Sequence, residues 1–161
     1  MDAVAEGGTV HVAEGTYEES VTVEKPLSLV GEGGEVIVRA DTSSNAIYIQ
    51  ASGVLVRGFR VEGGRDGIRA ERVANITISN CIVANSSRKG VVAWLSYNVS
   101  IIDCVVANVS DTGVKVHYSE KLLIEGCNVQ AIEYGLYLQG ADLTLRNCIA
   151  HDSNIGVYFS D

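Results

Sequence analysis

A chain that repeats itself every 21 to 23 residues cannot close a core within one repeat, so its repeats must stack. From Val54 onward five segments begin at Val54, Ile76, Val99, Leu122 and Leu143, spaced 22, 23, 23 and 21 residues apart. Two residues after each start lie Val56, Ile78, Ile101, Ile124 and Leu145. Five after lie Phe59, Cys81, Cys104, Cys127 and Cys148, and seven after lie Val61, Val83, Val106, Val129 and Ala150. Each segment also carries a glycine: Gly67, Gly90, Gly113, Gly135 and Gly156. An apolar residue follows it directly, at Ile68, Val91, Val114, Leu136 and Val157. Two further on come Ala70, Ala93, Val116, Leu138 and Phe159.

Alternation with period two denotes strands, three short ones per segment, with one apolar row facing inward. The phase breaks at Asn80, Asp103, Gly126 and Asn147, residue types that tolerate a left-handed backbone and so suit a bend. A leucine-rich horseshoe would need helical stretches, which the pattern lacks. The chain therefore reads as all-β, a right-handed single-stranded parallel β-helix. Alternating pairs upstream (Val10 and Val12, Val21 and Val23, Leu27 and Leu29, Val36 and Val38, Ile47 and Ile49) extend it to about seven coils of 21–27 residues. At a strand spacing of about 4.8 Å the rod is roughly 30–35 Å long. Residues 1–161 form one domain, expected to be a fragment of a longer protein or an end-stacking subunit. Met1 to Glu6 reads as the end of a helix running into a strand, and it lacks the regions of a signal peptide. At the other end Val157 and Phe159 are expected inward on an open coil that needs a cover.

Composition narrows the partners. With 12 basic and 20 acidic residues the net charge is −8, and the Lys and Arg are scattered along the sequence. A nucleic-acid surface is not expected. No apolar run approaches the roughly 18 residues of a membrane span.

The stretch from Gly7 to Gly34 resembles the N-terminal coil of pectin-lyase-like β-helix proteins, in particular pectin methylesterases and the NosD-like group of periplasmic and archaeal surface proteins. The resemblance rests on Gly15-Thr16-Tyr17-Glu18-Glu19, the strand Val21 to Val23 and Leu29-Val30-Gly31. It implies a scaffold whose relatives bind or process polysaccharide, but it does not transfer chemistry. The Gln-Ala-Val and Asp-Phe-Ile-Phe-Gly motifs of the methylesterases are missing. So are the calcium-binding aspartates of pectate lyases and the three clustered aspartates of polygalacturonases.

Each candidate site has a plainer alternative. Cys81, Cys104, Cys127 and Cys148 continue the slot of Phe59, which favours buried free thiols over inter-coil disulfides and over a metal site, for which the close cysteine spacing is missing. Arg69, Trp94, Lys115, His117, Tyr137 and Tyr158 face outward on one sheet and could form a carbohydrate groove, or simply decorate it. Asp66, Asp111 and Glu133, flanked by Arg69, Lys89 and Lys115, are the best acid–base candidates, against ordinary ion pairs. His11, His117 and His151 fall on different faces and are expected solvated, so no metal and no cofactor is implied. Arg60, Ile82, Val105, Asn128 and Ile149, with Ile102 and Leu123 nearby, place aliphatic bulk outside, which a subunit or a loop would cover. Four sequons, at Asn75, Asn85, Asn98 and Asn108, point to N-glycosylation or to Asn-rich turns beside serine and threonine.

The expectation is a non-catalytic structural or interaction module of an extracellular, cell-surface or periplasmic protein, partnered by itself end to end or laterally. The alternative is a carbohydrate-binding or polysaccharide-processing β-helix of lyase, hydrolase or esterase type.

Overall fold

The computed structural model describes residues 5–160, the side chain of Ala141 excepted; of the helix end expected at Met1 to Glu6, residues 1–4 lie outside the described residues, and Ala5 and Glu6 are not helical. Strands recur three to a turn over seven turns and build a triangular rod. Its first face stacks Thr9–Val12, Ser28–Gly31, Val54–Arg57, Ala74–Ser79 and Tyr97–Ile102. Its second stacks Gly15–Tyr17, Val36–Ala40, Arg60–Gly63, Ile82–Ala84, Val105–Val109, Asn128–Ala131 and Ile149–His151. Its third stacks Val21–Val23, Ile47–Ile49, Asp66–Glu71, Lys89–Trp94 and Ile155–Ser160. Two long strands, Thr112–Glu125 and Tyr134–Arg146, begin on the third face and run through the corner onto the first. Every strand pair is parallel, and no helix occurs among the described residues.

The expected bend is built as the sequence indicates. Gly58, Asn80, Asp103, Gly126 and Asn147 share the left-handed region, with φ of 78°, 51°, 51°, 65° and 54°. These residue types adopt it at least cost. The corner between the third and first faces uses less obvious residues: Arg72, Leu95, Tyr118 and Lys121 also have φ between 50° and 54°. Side chains pin that corner. The Ser96 and Ser119 hydroxyls are buried, Ser119 Oγ accepts the Ser96 backbone N–H at 3.0 Å, and Ser96 Oγ donates to the Trp94 carbonyl at 2.9 Å.

Inside, like stacks on like. Ile78, Ile101 and Ile124 form one buried column, and Val83, Val106 and Val129 another. Phe59, Cys81, Cys104 and Cys127 fill a third, continued by half-buried Cys148. All four cysteines are free thiols. Each donates to a carbonyl of the preceding coil: Cys104 Sγ to Ile78 O at 3.7 Å, Cys127 Sγ to Ile101 O at 3.6 Å. Burial pushes the Cys148 thiol up. Cys104, between Cys127, which lowers it, and Cys81, which raises it along with burial, is pushed up to about 12. Val157 and Phe159 do point inward, over Leu136 and Leu138, but they are 40% and 61% exposed. The aliphatic residues Ile82, Val105 and Ile149 are exposed on the second face.

The glycine column marks a tight approach between coils. A Cβ on Gly113 would strike Val129 Cγ1 and come within 2.7 Å of the Gly135 carbonyl oxygen. Gly113→Ala should therefore cost about 1–3 kcal/mol by overpacking, read as a lower urea midpoint. Iodoacetamide should leave Cys81, Cys104 and Cys127 unlabelled in the folded protein and label all four cysteines after unfolding.

Candidate functional site

The third face brings distant residues together over coils three to five. Backbone register stacks Asp66, Lys89, Thr112 and Tyr134 in one column. It stacks Arg69, Val92, Lys115, Tyr137 and Tyr158 in the next, and Glu71, Trp94 and His117 in a third. One residue upstream, Arg65, Arg88, Asp111 and Glu133 are linked coil to coil. The Arg88 N–H donates to Arg65 O at 2.9 Å, Asp111 N–H to Arg88 O at 2.9 Å, and Glu133 N–H to Asp111 O at 3.0 Å.

The result is a hollow of about 230 Å³ lined by Arg65, Arg69, Arg88, Lys89, Lys115, Val92, Trp94 and His117. Five of the chain's twelve basic residues thus line one site in a molecule of net charge −8. This corrects the reading of the basic residues as scattered: a 23-residue separation in sequence is a single coil spacing in space. Val92 shares the outward column of Arg69 and Lys115 yet is only 3% exposed, among the long side chains that line the hollow.

Trp94 and Tyr137 each carry a cation over the ring. The guanidinium carbons of Arg69 and Arg72 each lie 5.2 Å from the centre of the Trp94 ring. Lys115 Nζ lies 4.6 Å from the centre of Tyr137, whose ring also stacks on Tyr158 at 5.0 Å. Tyr134 meets Tyr137 edge-on at 5.4 Å. The expected sugar-stacking platforms are instead engaged in holding cations, an arrangement favoured by the ring quadrupole.

The electrostatics are those of a crowded cationic patch. Burial, then the neighbouring Lys89 charge, lowers the Lys115 pKa. Burial, then Lys115, lowers that of His117, whose ring is partly buried in the hollow and not solvated as expected. His117 Nδ1, Trp94 Nε1 and Asp66 Oδ1 are buried without a hydrogen-bond partner.

The three candidate carboxylates differ in setting. Asp66 is buried and its Oδ2 accepts from Arg69 at 2.8 Å, while Arg69 Nε donates to Glu71 at 2.9 Å. Asp111 faces Lys89 Nζ at 3.2 Å and accepts from the Thr112 hydroxyl at 2.8 Å. Glu133 is exposed, in the column of Asp111 and not of Asp66. His11 pairs with Glu32 and His151 with Asp152, and no metal-binding cluster exists among the described residues. Arg65 and Arg88, which sequence reasoning did not select, sit just upstream of the glycine-anchored strands, where only their recurrence one coil apart would have marked them.

The sequence pattern of a family described as right handed beta helix region matches residues 39–161. Over 88 residues the chain is 32% identical to a cell surface glycoprotein of Methanothermus fervidus, a match covering 55% of this chain and 15% of that protein. Three solved structures are similar in fold. The pectate lyase Pel9A has a TM-score of 0.68 at 13% identity, covering 91% of this chain and 48% of that one. An alginate lyase of a Paenibacillus species has a TM-score of 0.70 at 14% identity, with coverage of 94% and 68%. A pectin methylesterase of Aspergillus niger has a TM-score of 0.53 at 15% identity, with coverage of 99% and 74%.

Removing Asp66 leaves the half-buried Arg69 guanidinium with Glu71 alone. Asp66→Ala should cost about 2 kcal/mol of stability, measured by urea unfolding.

Proposed function

The chain belongs to the right-handed β-helix family, and on that premise we propose that it is an interaction module of a cell-surface protein that binds anionic polysaccharide along its third face without cleaving it. The observation that carries this reading is the convergence of Arg65, Arg69, Arg88, Lys89 and Lys115 on one hollow of an otherwise acidic chain. Cations gathered against net charge mark a site for an anion. Arg88 and Lys115 stand at the hollow without close carboxylate partners such as Asp66 and Glu71, each of which accepts one hydrogen bond from Arg69. A uronate carboxylate suits that vacancy, since a guanidinium offers two parallel donors to a carboxylate. Trp94 and Tyr137 hold Arg69, Arg72 and Lys115 in place, so the site is ordered before a ligand arrives.

Two further observations support parts of this reading. The relative in Methanothermus fervidus is named as a cell surface glycoprotein, which favours a surface location; this chain spans 15% of its length. The similar structures are enzymes named for pectate, alginate and pectin, all acidic polysaccharides. Binding without cleavage is favoured because Asp66 and Asp111 are each already paired with a cation.

Affinity electrophoresis in polygalacturonate or alginate tests the proposal. Migration should slow, less so as salt rises. Arg88→Glu, Lys115→Glu and Trp94→Ala should each weaken binding at least about tenfold, roughly 1.4 kcal/mol. No new reducing ends should form. A chain that is not retarded, or that releases fragments and stops doing so on Asp111→Asn, overturns it.

A further inference from the structure

The four sequons occupy two corners, and those corners are the two long edges of the third face. Asn85 and Asn108 stand where the chain enters that face, and Asn75 and Asn98 where it leaves. All four have left-handed φ between 54° and 60° and exposed side chains. Within each corner the two asparagines are stacked neighbours. Ala74 pairs with Tyr97 and Ile76 with Val99, which sets Asn75 over Asn98. Ala84 pairs with Ala107, and the Asn85 N–H donates to Ala107 O at 3.2 Å.

We propose that this molecule is N-glycosylated at one asparagine of each column and never at both, with Asn75 the acceptor in the first. The step transfers an oligosaccharide from a lipid-linked phosphate donor. The bond from the sugar's C1 to phosphate oxygen breaks, a bond from C1 to Nδ2 forms, the lipid phosphate leaves, and the amide loses one proton. Stacked coils are about 4.8 Å apart, closer than two substituted sugar rings can stand side by side. A glycan on one asparagine of a column therefore occupies the space its neighbour would need.

The choice within the first column follows from a hydrogen bond. Asn98 Nδ2, the atom that would have to bond to sugar, donates to Asn75 Oδ1 at 2.8 Å. A sugar there would displace the Asn75 side chain. Asn75 keeps its own Nδ2 outside that bond, and the preceding coil carries Gly53 at the position stacked on Asn75. Even a Cβ at Gly53 would meet nothing but Pro26. In the second column neither amide is tied, so either asparagine accepts, and single occupancy is set by spacing alone. The two glycans then stand on opposite edges of the third face, bordering the cationic hollow.

Secreting the full chain behind a host signal peptide, in cells that glycosylate Asn-x-Ser/Thr, imposes export. The outcome is then independent of whether the protein is natively at a surface or binds polysaccharide. Intact mass and glycopeptide mapping should show at most two glycans per molecule, one at Asn75 and one shared between Asn85 and Asn108, with Asn98 bare. Asn108→Gln should raise occupancy of Asn85. Thr77→Ala, which removes the first sequon but keeps the asparagine ladder, should leave Asn98 unmodified. Three or more glycans on one molecule, glycan at Asn98 in either protein, or secreted folded protein with both columns bare overturns the proposal.

Discussion

Parallel hydrogen bonding from each coil to the next is the constraint on which everything else in this molecule depends. It fixes the spacing at about 4.8 Å and the register at one repeat, so each residue lies over its counterpart one coil away. Thiols lie over thiols, isoleucines over isoleucines and asparagines over asparagines. The chemistry of any one position is thereby amplified into a column. The same rule makes the rod one-dimensional in energy, because each coil touches only its neighbours. An intruding atom such as a Cβ on Gly113 therefore opposes the carbonyl of a single adjacent coil, with little surrounding structure free to yield.

The parts of the fold that repeat were legible in the sequence. The columns through Ile78 and Val83 announce themselves because an inward slot accepts only apolar residues, turn after turn. Asn80, Asp103, Gly126 and Asn147 were legible because their backbone angle restricts residue type. The other corner was not, since Arg72, Leu95 and Tyr118 do not advertise a left-handed turn; the buried Ser96 and Ser119 hydroxyls that brace it look like ordinary strand residues. Nor did alternation show that Thr112–Glu125 runs unbroken around the corner. Of the candidate site, outward direction was readable for Arg69, Lys115 and Tyr137, but partnership was not. Whether an indole faces solvent or a guanidinium depends on side-chain reach across coils, which spacing alone does not encode.

The surface of the third face is therefore better described as charge held in place by rings than as rings offered to a sugar. Trp94 and Tyr137 stabilise their cations through the electrostatics of the aromatic face and shield them from part of the solvent. Burial first, and then a neighbouring cation (Lys89 for Lys115, Lys115 for His117), lowers the pKa of both groups. An anion bound as proposed would offset the cation–cation part of that effect.

The column Arg65, Arg88, Asp111, Glu133 changes sign halfway along its length. An anionic polymer lying along the rod axis, as proposed, would be attracted at the first two positions of this column and repelled at the next two. If the proposed polysaccharide binds here, the column would act as a ruler: it is basic only over the two coils of Arg65 and Arg88, one strand spacing of about 4.8 Å apart, and acidic beyond them. Moving the sign change by one coil at Asp111 would extend the basic run by one strand spacing, and it would also remove the Thr112 hydroxyl bond and the Lys89 pairing that Asp111 makes.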